Sequence, residues 1–220
     1  MDNMGQFYQA TTTDTNMIAK MMASSFATYP FVAKFLTTAY ASEEKRVQFL
    51  EKLSQILIKT LMRKGVCLFD KEDSEVRAFC ILSTIENMNP GIWDIVASGA
   101  FRLLPNLFNK AVRQFIIFYL RDAAMVDFPK SADRWYVHLF AVSPNHQGKR
   151  LGSAMMNHCI FPYVKQRQGQ SILLSTNTEM ALKFYTSNGF EVITQDKISY
   201  KGEVFKKWDL CKTITGGIKQ

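Results

Sequence analysis

The most informative part of the chain is Leu139-Phe140-Ala141-Val142-Ser143-Pro144-Asn145-His146-Gln147-Gly148-Lys149-Arg150-Leu151-Gly152-Ser153-Ala154. Its pattern predicts a buried strand that runs into a tight basic loop and then directly into a helix. The loop backbone N–H groups and the helix N-terminus then converge on one point, which is an anion site. Because Lys149 or Arg150 can offset negative charge there, the arrangement suits a pyrophosphate.

This loop alone does not distinguish an anion site from an ordinary turn, since glycine is common where a strand turns into a helix. Two other phosphate-binding patterns are missing from it. The stretch has neither the G-x-x-x-x-G-K-[ST] of a nucleotide-triphosphate P-loop nor a G-x-G-x-x-G dinucleotide fingerprint. Kinase and dehydrogenase functions are therefore disfavoured.

The elements around the loop predict an α/β chain. On the C-terminal side, strands alternate with helices, which is typical of partly parallel pairing, and the last two strands are expected to be an antiparallel addition. The predicted elements are a strand at 135–142, a helix at 152–167, a strand at 172–175, a helix ending at 188–189, and strands at 190–194 and 204–210.

On the N-terminal side, the pattern predicts a strand at 6–10 and then helices that Pro30 interrupts and that end near Lys64-Gly65. A hairpin at 66–69 and 76–82 follows. Residues 87–133 are too apolar for a linker and are expected to pack as a helical insertion before the fourth strand. We expect one domain over 1–220 with this insertion.

A second motif lies in the stretch from Ser175 to Glu191, which looks like N-x-x-A-x-x-[FL]-Y-x-x-x-G-F. The first stretch resembles [QR]-x-x-G-x-[GA], with Gln147 at the first position, Gly152 at the last, and Arg150 where the pattern has its middle glycine. In this order the two motifs resemble those of the GNAT superfamily of acetyl-CoA-dependent N-acetyltransferases, and the similarity covers about Phe7 to Leu210. Ser25-Phe26-Ala27, Tyr29-Pro30-Phe31 and the phrase His138 to Val142 look most like the puromycin N-acetyltransferase group.

The resemblance implies the GNAT fold, a mixed α/β (α+β) architecture with a central twisted mixed sheet of about seven strands and flanking helices. It also implies acetyl-CoA as cosubstrate, with the pantetheine arm along a splayed fourth strand and an oxyanion stabilised by backbone N–H groups near Phe140. The residues implied in cofactor binding are Leu139, Phe140, Ala141, Val142, Gln147, Gly148, Lys149, Arg150, Leu151, Gly152, Ser153, Asn177, Ala181, Phe184 and Tyr185.

Two residues are implied in catalysis. Tyr185 has the motif position of the tyrosine that protonates the departing CoA thiolate, and its alternative role is packing beside Phe184. His138 is the candidate base for the attacking amine, with a structural histidine or a water as the alternatives. Strand alternation predicts that His138 lies on the same face as Tyr136 and Phe140.

The expected function is acetyl transfer to a primary amine of a small molecule by direct attack in a ternary complex. Aromatic residues of the early helices and the insertion, including Tyr40, Trp93, Phe101 and Phe115, are expected to cover the acceptor end of the cleft. The acceptor cannot be named from these residues. A noncatalytic CoA-binding or regulatory module and a protein-amine acetyltransferase are the alternatives.

The charge and the cysteine content limit the classes of partner that we expect. The formal charge is +8, which attracts nucleotide phosphates, nucleic acid or anionic lipid, but the scattered basic residues do not favour nucleic acid. The four cysteines have no metal-ligand spacing, so we expect no metal. No signal peptide and no apolar run long enough to span a bilayer are recognised. We therefore expect a cytoplasmic monomer or homodimer with neither nucleic acid nor membrane as partner.

Overall fold

The computed structural model describes residues 7–27, 29–124, 128, 131–200 and 203–214, and its strands form one seven-stranded sheet. This confirms the predicted mixed α/β architecture. The strands are β1 (Phe7–Gln9), β2 (Val66–Glu72), β3 (Glu75–Thr84), β4 (Arg134–Val142), β5 (Ser171–Thr176), β6 (Glu191–Tyr200) and β7 (Glu203–Thr213).

The strand order is β1-β2-β3-β4-β5-β7-β6. Only the β4–β5 pair is parallel among the pairs of described strands. As expected, β6 and β7 form an antiparallel pair, but β7 lies between β5 and β6. The prediction that β6 ends at 194 is wrong, because pairing with β7 continues to Tyr200. Residues 195–197 are all exposed, so the sequence has no apolar alternation there to indicate a strand.

The helices flank this sheet. They are α1 (Thr15–Ala27), α2 (Pro30–Ala39), α3 (Glu43–Met62), α4 (Ile92–Ala97), α5 (Lys110–Ala124), α6 (Leu151–Met155), α7 (Phe161–Gln166) and α8 (Glu179–Ser187), with 3₁₀ helices at Ile85–Asn87, Ala100–Phe108 and Pro144–His146. No helix in the described ranges is both long and apolar enough to cross a membrane.

The predicted helix at 152–167 has an irregular middle. A π turn, Met156–Ile160, joins α6 to α7. Pro162 lies in the first turn after it, and a proline has no N–H to donate to the helical ladder, which explains why regular α-helical bonding is interrupted here.

The predicted insertion contains α4, the 3₁₀ helix Ala100–Phe108 and α5, all between β3 and β4. Residues 125–127 and 129–130 of the insertion, and Gln6 of the predicted first strand, lie outside the described residues. The two chain ends do as well, so one domain over 1–220 stays a prediction.

Strands β4 and β5 separate after a short parallel ladder. The ladder comprises the pairs Arg134–Ser171, Trp135–Ile172 and Tyr136–Leu173, and no later residue of either described strand pairs with the other. Backbone groups of Val137–Val142 on this side are therefore left without a strand partner. The opening has the geometry expected for an extended ligand that adds to a strand edge.

Candidate functional site

A β-bulge in β4 sets which side chains face each side of the sheet. Ile81 pairs with Leu139 and Leu82 pairs with Val137, so His138 is the extra residue. After it, the alternation of faces is reversed, and Phe140 packs in the same cluster as Val137.

The prediction that His138 and Phe140 share a face is therefore wrong, since strict alternation holds only in an unbulged strand. His138 remains beside Tyr136, with ring centroids 5.1 Å apart. Leu139 and Ala141 also lie on the side opposite Phe140, in the cluster packed against α1 and α3. Strand alternation after the bulge thus divides the β4 residues predicted to bind the cofactor between two faces.

The α8 side of the sheet brings the two sequence motifs into contact. Phe140 stacks on Phe184 at 5.5 Å with an interplanar angle of 14°. Tyr185 packs edge-on against Phe184 at 5.2 Å and against Phe190 at 5.5 Å. The other predicted cofactor residues with side chains in this cluster are Val142, Leu151 and Ala181.

Local hydrogen bonds explain the form of the second motif. Thr178 caps α8 by accepting a hydrogen bond from the Ala181 N–H at 3.2 Å. At the other end, Gly189 has a φ of +82°, which lets the chain leave the helix. Asn177, predicted to bind cofactor, lies between β5 and this cap and is partly buried. It is one residue before the asparagine position of the motif, because the residue three before Ala181 is Thr178.

The loop between β4 and α6 is exposed and has two residues in the left-handed region. Gly148 has a φ of +75°, and no described atom lies within 4 Å of the place where its Cβ would be. Arg150 has a φ of +61°, so the backbone conformation that suits glycine is retained although arginine occupies the position. For an L-residue this costs about 1 to 2 kcal/mol.

The rest of the loop is fastened to the end of the sheet. The Ser143 N–H donates to the Arg77 carbonyl at 2.7 Å, and Gln147 Nε2 donates to the Val142 carbonyl at 3.1 Å. The side chain of Gln147 is thus used within the protein, which leaves its backbone and the first-turn N–H groups of Leu151, Gly152 and Ser153 for an anion. Lys149 and Arg150 are exposed at the same place.

Gly152 has a packing role that the sequence interpretation missed. A Cβ there would lie 3.0 Å from a ring carbon of Phe184 and 3.3 Å from a methyl of Val142. The glycine therefore lets α6 approach the stacked aromatic rings. A larger side chain at this position would disturb the fold as well as any ligand, so Gly152 is unsuited to testing the anion site.

The Tyr185 side chain is buried, with 8% of the residue exposed. Burial raises the pKa of its phenol well above the usual value, and Cys80, Tyr29 and Tyr136 add to the increase. No described residue hydrogen-bonds to its hydroxyl. The phenol is therefore protonated at neutral pH and can donate its proton to a ligand.

His138 is partly buried and lies at the bulge, next to the opening between β4 and β5. Its Nε2 is 2.9 Å from the Ser83 hydroxyl oxygen, and that hydroxyl donates to the Thr84 carbonyl at 3.0 Å. A serine hydroxyl has one proton, so in this arrangement Nε2–H donates to Ser83 and Nδ1 holds the lone pair. Burial lowers the pKa of His138 to about 4, and the ring is neutral at pH 7.

We predict that His138 makes folding more sensitive to acid. The imidazole of His138 takes up a proton near pH 6.5 in the unfolded chain and near pH 4 in the folded chain. The stability that the neutral ring contributes is therefore complete above pH 6.5 and is lost as the pH falls toward 4. Lowering the pH from 7 to 4 should decrease the free energy of unfolding in both proteins. The decrease should be about 2 to 3 kcal/mol smaller in a His138→Gln variant than in the parent. Urea unfolding at both pH values measures this. The exposed His158→Gln is the control, and equal losses in parent and His138→Gln would contradict the prediction.

A polar chain on the same side of the sheet as His138 was not predicted from the sequence. Tyr136 donates to Ser175 at 3.4 Å, and Ser175 donates to Asp209 Oδ1 at 2.5 Å. Thr194 donates to Asp209 Oδ2 at 2.9 Å, and the buried Lys207 Nζ lies 3.8 Å from Oδ1. The alternation of Lys207, Trp208, Asp209 and Leu210 indicates two faces. This alternation would have predicted that Lys207 and Asp209 share a face, but not that Ser175 and Thr194 lie next to Asp209.

Two of the aromatic residues expected over the acceptor end point outward instead. Trp93 is 78% exposed and Phe101 is 62% exposed, whereas Phe115 is buried in the cluster formed with α2 and α3. Tyr40 packs on Phe49 in that cluster, with ring centroids 5.6 Å apart. Aromatic residues alone do not indicate whether they line a cleft, fill a core or face solvent.

The described residues contain no group of three His, Cys, Asp or Glu side chains that could hold a metal ion. The site contains a buried phenol, a neutral imidazole, strand N–H groups without a strand partner, and the exposed loop between β4 and α6. These are the parts needed to hold a thioester cofactor and to protonate its leaving thiolate.

Comparisons with known proteins give one family match over part of the chain. A family model described as an acetyltransferase (GNAT) domain matches residues 111–192. No curated protein matches the chain. The match covers part of the chain, and together with the fold it agrees with the predicted resemblance to the acetyl-CoA-dependent GNAT acetyltransferases. The puromycin-like subgroup stays a prediction.

Solved structures of low sequence identity have the same fold. A proposed GNAT acetyltransferase from Desulfovibrio desulfuricans has a TM-score of 0.57 at 12% identity, covering 96% of this chain and 99% of that one. The ribosomal-protein-S18-alanine N-acetyltransferase from Escherichia coli has a TM-score of 0.55 at 12% identity, covering 98% and 97%. A proposed acetyltransferase from Salmonella typhimurium, solved with its cofactor acetyl-CoA, has a TM-score of 0.53 at 12% identity, covering 99% and 98%.

Proposed function

We propose that the protein transfers the acetyl group of acetyl-CoA to a primary amine of a small molecule, by direct attack in a ternary complex. The observation that carries this proposal is the opening between β4 and β5, which has the anion-binding loop at one end and buried Tyr185 beside it. A pyrophosphate over the loop and a thioester in the opening would occupy these two places together.

In this proposal the backbone N–H groups from Gln147 to Ser153 bind the pyrophosphate, with Lys149 and Arg150 adding charge. The pantetheine arm pairs with the free edge of β4 from Leu139 to Val142. Asn177, Ala181 and Phe184 form the wall on the α8 side. Since Leu139 and Ala141 face away from this wall, their contribution comes from the backbone.

The proposed chemistry uses one proton donor and one acceptor. The amine attacks the thioester carbonyl, backbone N–H groups near Phe140 stabilise the oxyanion, and Tyr185 protonates the departing thiolate. Burial raises the pKa of a thiol as well as that of a phenol, as for Cys80 in the same cluster, so this transfer remains nearly balanced. His138 accepts the amine proton, and its pKa near 4 makes water the competing acceptor.

Helices α2 and α5 cover the side of the sheet where the acceptor amine is expected, and this supports a small acceptor. Phe118 of α5 packs edge-on against Phe205 of β7 at 5.2 Å, and Phe35 of α2 lies 6.1 Å from Phe118. These contacts bring α2 and α5 across the face that holds Asp209 and Lys207. A covered cleft suits a small amine better than a folded protein substrate.

The test is a panel of amines with acetyl-CoA, in which thiol release is followed. The panel includes polyamines, amino-acid derivatives, aminonucleosides and a peptide with a free N-terminal alanine. Turnover of a small amine supports the proposal. Turnover of the peptide alone identifies a protein-amine acetyltransferase, and tight acetyl-CoA binding without turnover on any amine identifies a regulatory module.

We predict that Gly148→Ala weakens acetyl-CoA binding about tenfold to a hundredfold. An alanine cannot hold a φ of +75° without strain, so the loop N–H donors would move, and each bond to a charged group contributes about 1.5 to 3 kcal/mol. Isothermal titration measures the affinity. Gly99→Ala is the matched control, because Gly99 also has a positive φ, +89°, but lies in the insertion. Equal affinities for both variants and the parent would contradict the loop assignment.

We predict opposite effects of Arg150→Gly on stability and on affinity. Glycine relieves the left-handed strain, so the free energy of unfolding should rise by about 1 kcal/mol. Loss of the guanidinium should weaken acetyl-CoA binding at low salt and reduce its salt dependence. Chemical denaturation and titration at two salt concentrations measure these changes. Undiminished affinity at low salt would mean that Arg150 does not compensate for the missing glycine.

A further inference from the structure

An exposed apolar face lies on the insertion between β3 and β4. It consists of Ile92, Trp93 and Val96 on α4, and of Phe101, Leu104 and Phe108 on the 3₁₀ helix. Their exposures range from 46% for Val96 to 88% for Phe108. Large side chains exposed together in this way are unusual for a monomer and mark an interaction surface.

The apolar face is held outward by specific bonds. Asp94 on α4 binds Arg63 Nε at 2.9 Å and Lys64 Nζ at 3.3 Å at the end of α3. In the 3₁₀ helix, Asn106 donates to the Tyr40 hydroxyl at 2.8 Å. Both segments are thereby fixed with their polar anchors inward and their apolar residues outward.

The charged residues of the segment that carries this face are mostly cationic. Between Ile92 and Tyr119 the only acidic residue is Asp94, which is already paired with two cations, whereas Arg102, Lys110 and Arg113 are all exposed. A second copy of the chain would bring these cations close to their own counterparts. An anionic surface would attract them instead, and the formal charge of +8 adds to this attraction.

In contrast to the sequence-based expectation of no membrane partner, we propose that this apolar face docks the protein onto an anionic membrane surface. Trp93, Phe101 and Phe108 enter the interfacial layer, and Arg102, Lys110 and Arg113 lie against the lipid phosphates. Short amphipathic segments with aromatic residues and flanking cations bind membrane interfaces in this way, through buried apolar area together with attraction to anionic lipid. The docking does not depend on the proposed acetyl transfer.

Tryptophan fluorescence gives a direct test on the full chain. Trp135 and Trp208 are 8% and 5% exposed, so a change of environment on docking affects chiefly Trp93. We expect a blue shift of the emission with vesicles of phosphatidylcholine and phosphatidylserine, little shift with phosphatidylcholine alone, and release at high salt. Cosedimentation should likewise be stronger with the anionic vesicles than with phosphatidylcholine alone, and weaker at high salt.

Variants separate the apolar and the charged contributions. Phe101→Ser with Phe108→Ser, and Arg102→Glu with Lys110→Glu, should each weaken cosedimentation with anionic vesicles about tenfold or more. Val204→Ser, on β7, and Lys165→Glu, on α7, are the matched exposed controls and should bind like the parent. Circular dichroism and acetyl-CoA affinity verify that each variant is folded.

Three results would overturn the proposal. The first is an absence of shift and cosedimentation with anionic vesicles. The second is equal binding to neutral and anionic vesicles, which would remove the role of the cations. The third is a Trp93 shift that grows with protein concentration without lipid, together with a dimer in light scattering, because a second copy would then cover the face.

Discussion

Replacing Tyr185 by phenylalanine should lower the rate of acetyl transfer by about 10²- to 10⁴-fold and leave acetyl-CoA affinity nearly unchanged. Only the hydroxyl is removed, and the ring contacts with Phe184 and Phe190 remain. Because no described residue hydrogen-bonds to that hydroxyl, its loss leaves no buried protein group without a partner. The expected effect is therefore on the departing thiolate rather than on packing.

The measurement needs an acceptor found with the amine panel, and it compares single-turnover rates so that product release does not hide the chemical step. Tyr163→Phe is the matched control, since Tyr163 packs edge-on against Trp135 at 5.8 Å, away from the opening. A Tyr185→Phe enzyme that reacts at the parental rate in a single turnover would exclude Tyr185 as the acid. A tenfold loss of acetyl-CoA affinity would indicate a binding role instead.

The pH dependence of the rate of acetyl transfer distinguishes Tyr185 and His138 from other titrating groups. Burial raises the pKa of Tyr185, so the phenol stays protonated through the neutral and mildly alkaline range and contributes no loss of rate there. His138, with a pKa of about 4, stays neutral down to about pH 5. A decline in rate between pH 6 and 7 would therefore come from the amine substrate or from another group.

The sequence predicted the parts of the fold that depend on local pattern. The strand and helix periodicities located most elements, and the loop before Gly152 was recognised because a strand, a glycine-containing turn and a helix follow one another directly. Arg150 has a positive φ, a backbone conformation that glycine adopts most easily, at the position where the predicted motif has its middle glycine. Short motifs thus predict backbone form better than they predict what each side chain contacts.

Features that depend on tertiary pairing were not predicted. The bulge at His138 arises from the register between β3 and β4, and a period-two pattern has no signal for one extra residue. The location of β7 between β5 and β6 brings Asp209 next to Ser175, although 34 residues separate them. The outward direction of Trp93 depends on which side of α4 packs against α3, and the sequence shows only that the segment is apolar.

The largest effect on stability is expected at the start of β3, where Arg77 pairs with Asp70. The Asp70 side chain is fully buried, and Arg77 donates to both of its carboxylate oxygens, at 3.0 and 3.1 Å. The Arg77 carbonyl also accepts the Ser143 N–H, which fastens the loop after β4. This ion pair therefore lies where the β2–β3 hairpin supports the loop between β4 and α6.

Replacing Arg77 by methionine should lower the free energy of unfolding by about 3 to 5 kcal/mol, because a buried carboxylate is left without its partner. The double variant Asp70→Leu/Arg77→Met should recover most of this loss, since an apolar pair of similar volume removes the unpaired charge. Lys206→Met is the control, as its ion pair with Glu179 is exposed and should contribute little. Urea denaturation of the four proteins measures the differences. If the double variant is no more stable than Arg77→Met, the loss comes from packing of the arginine stem and not from the buried charge.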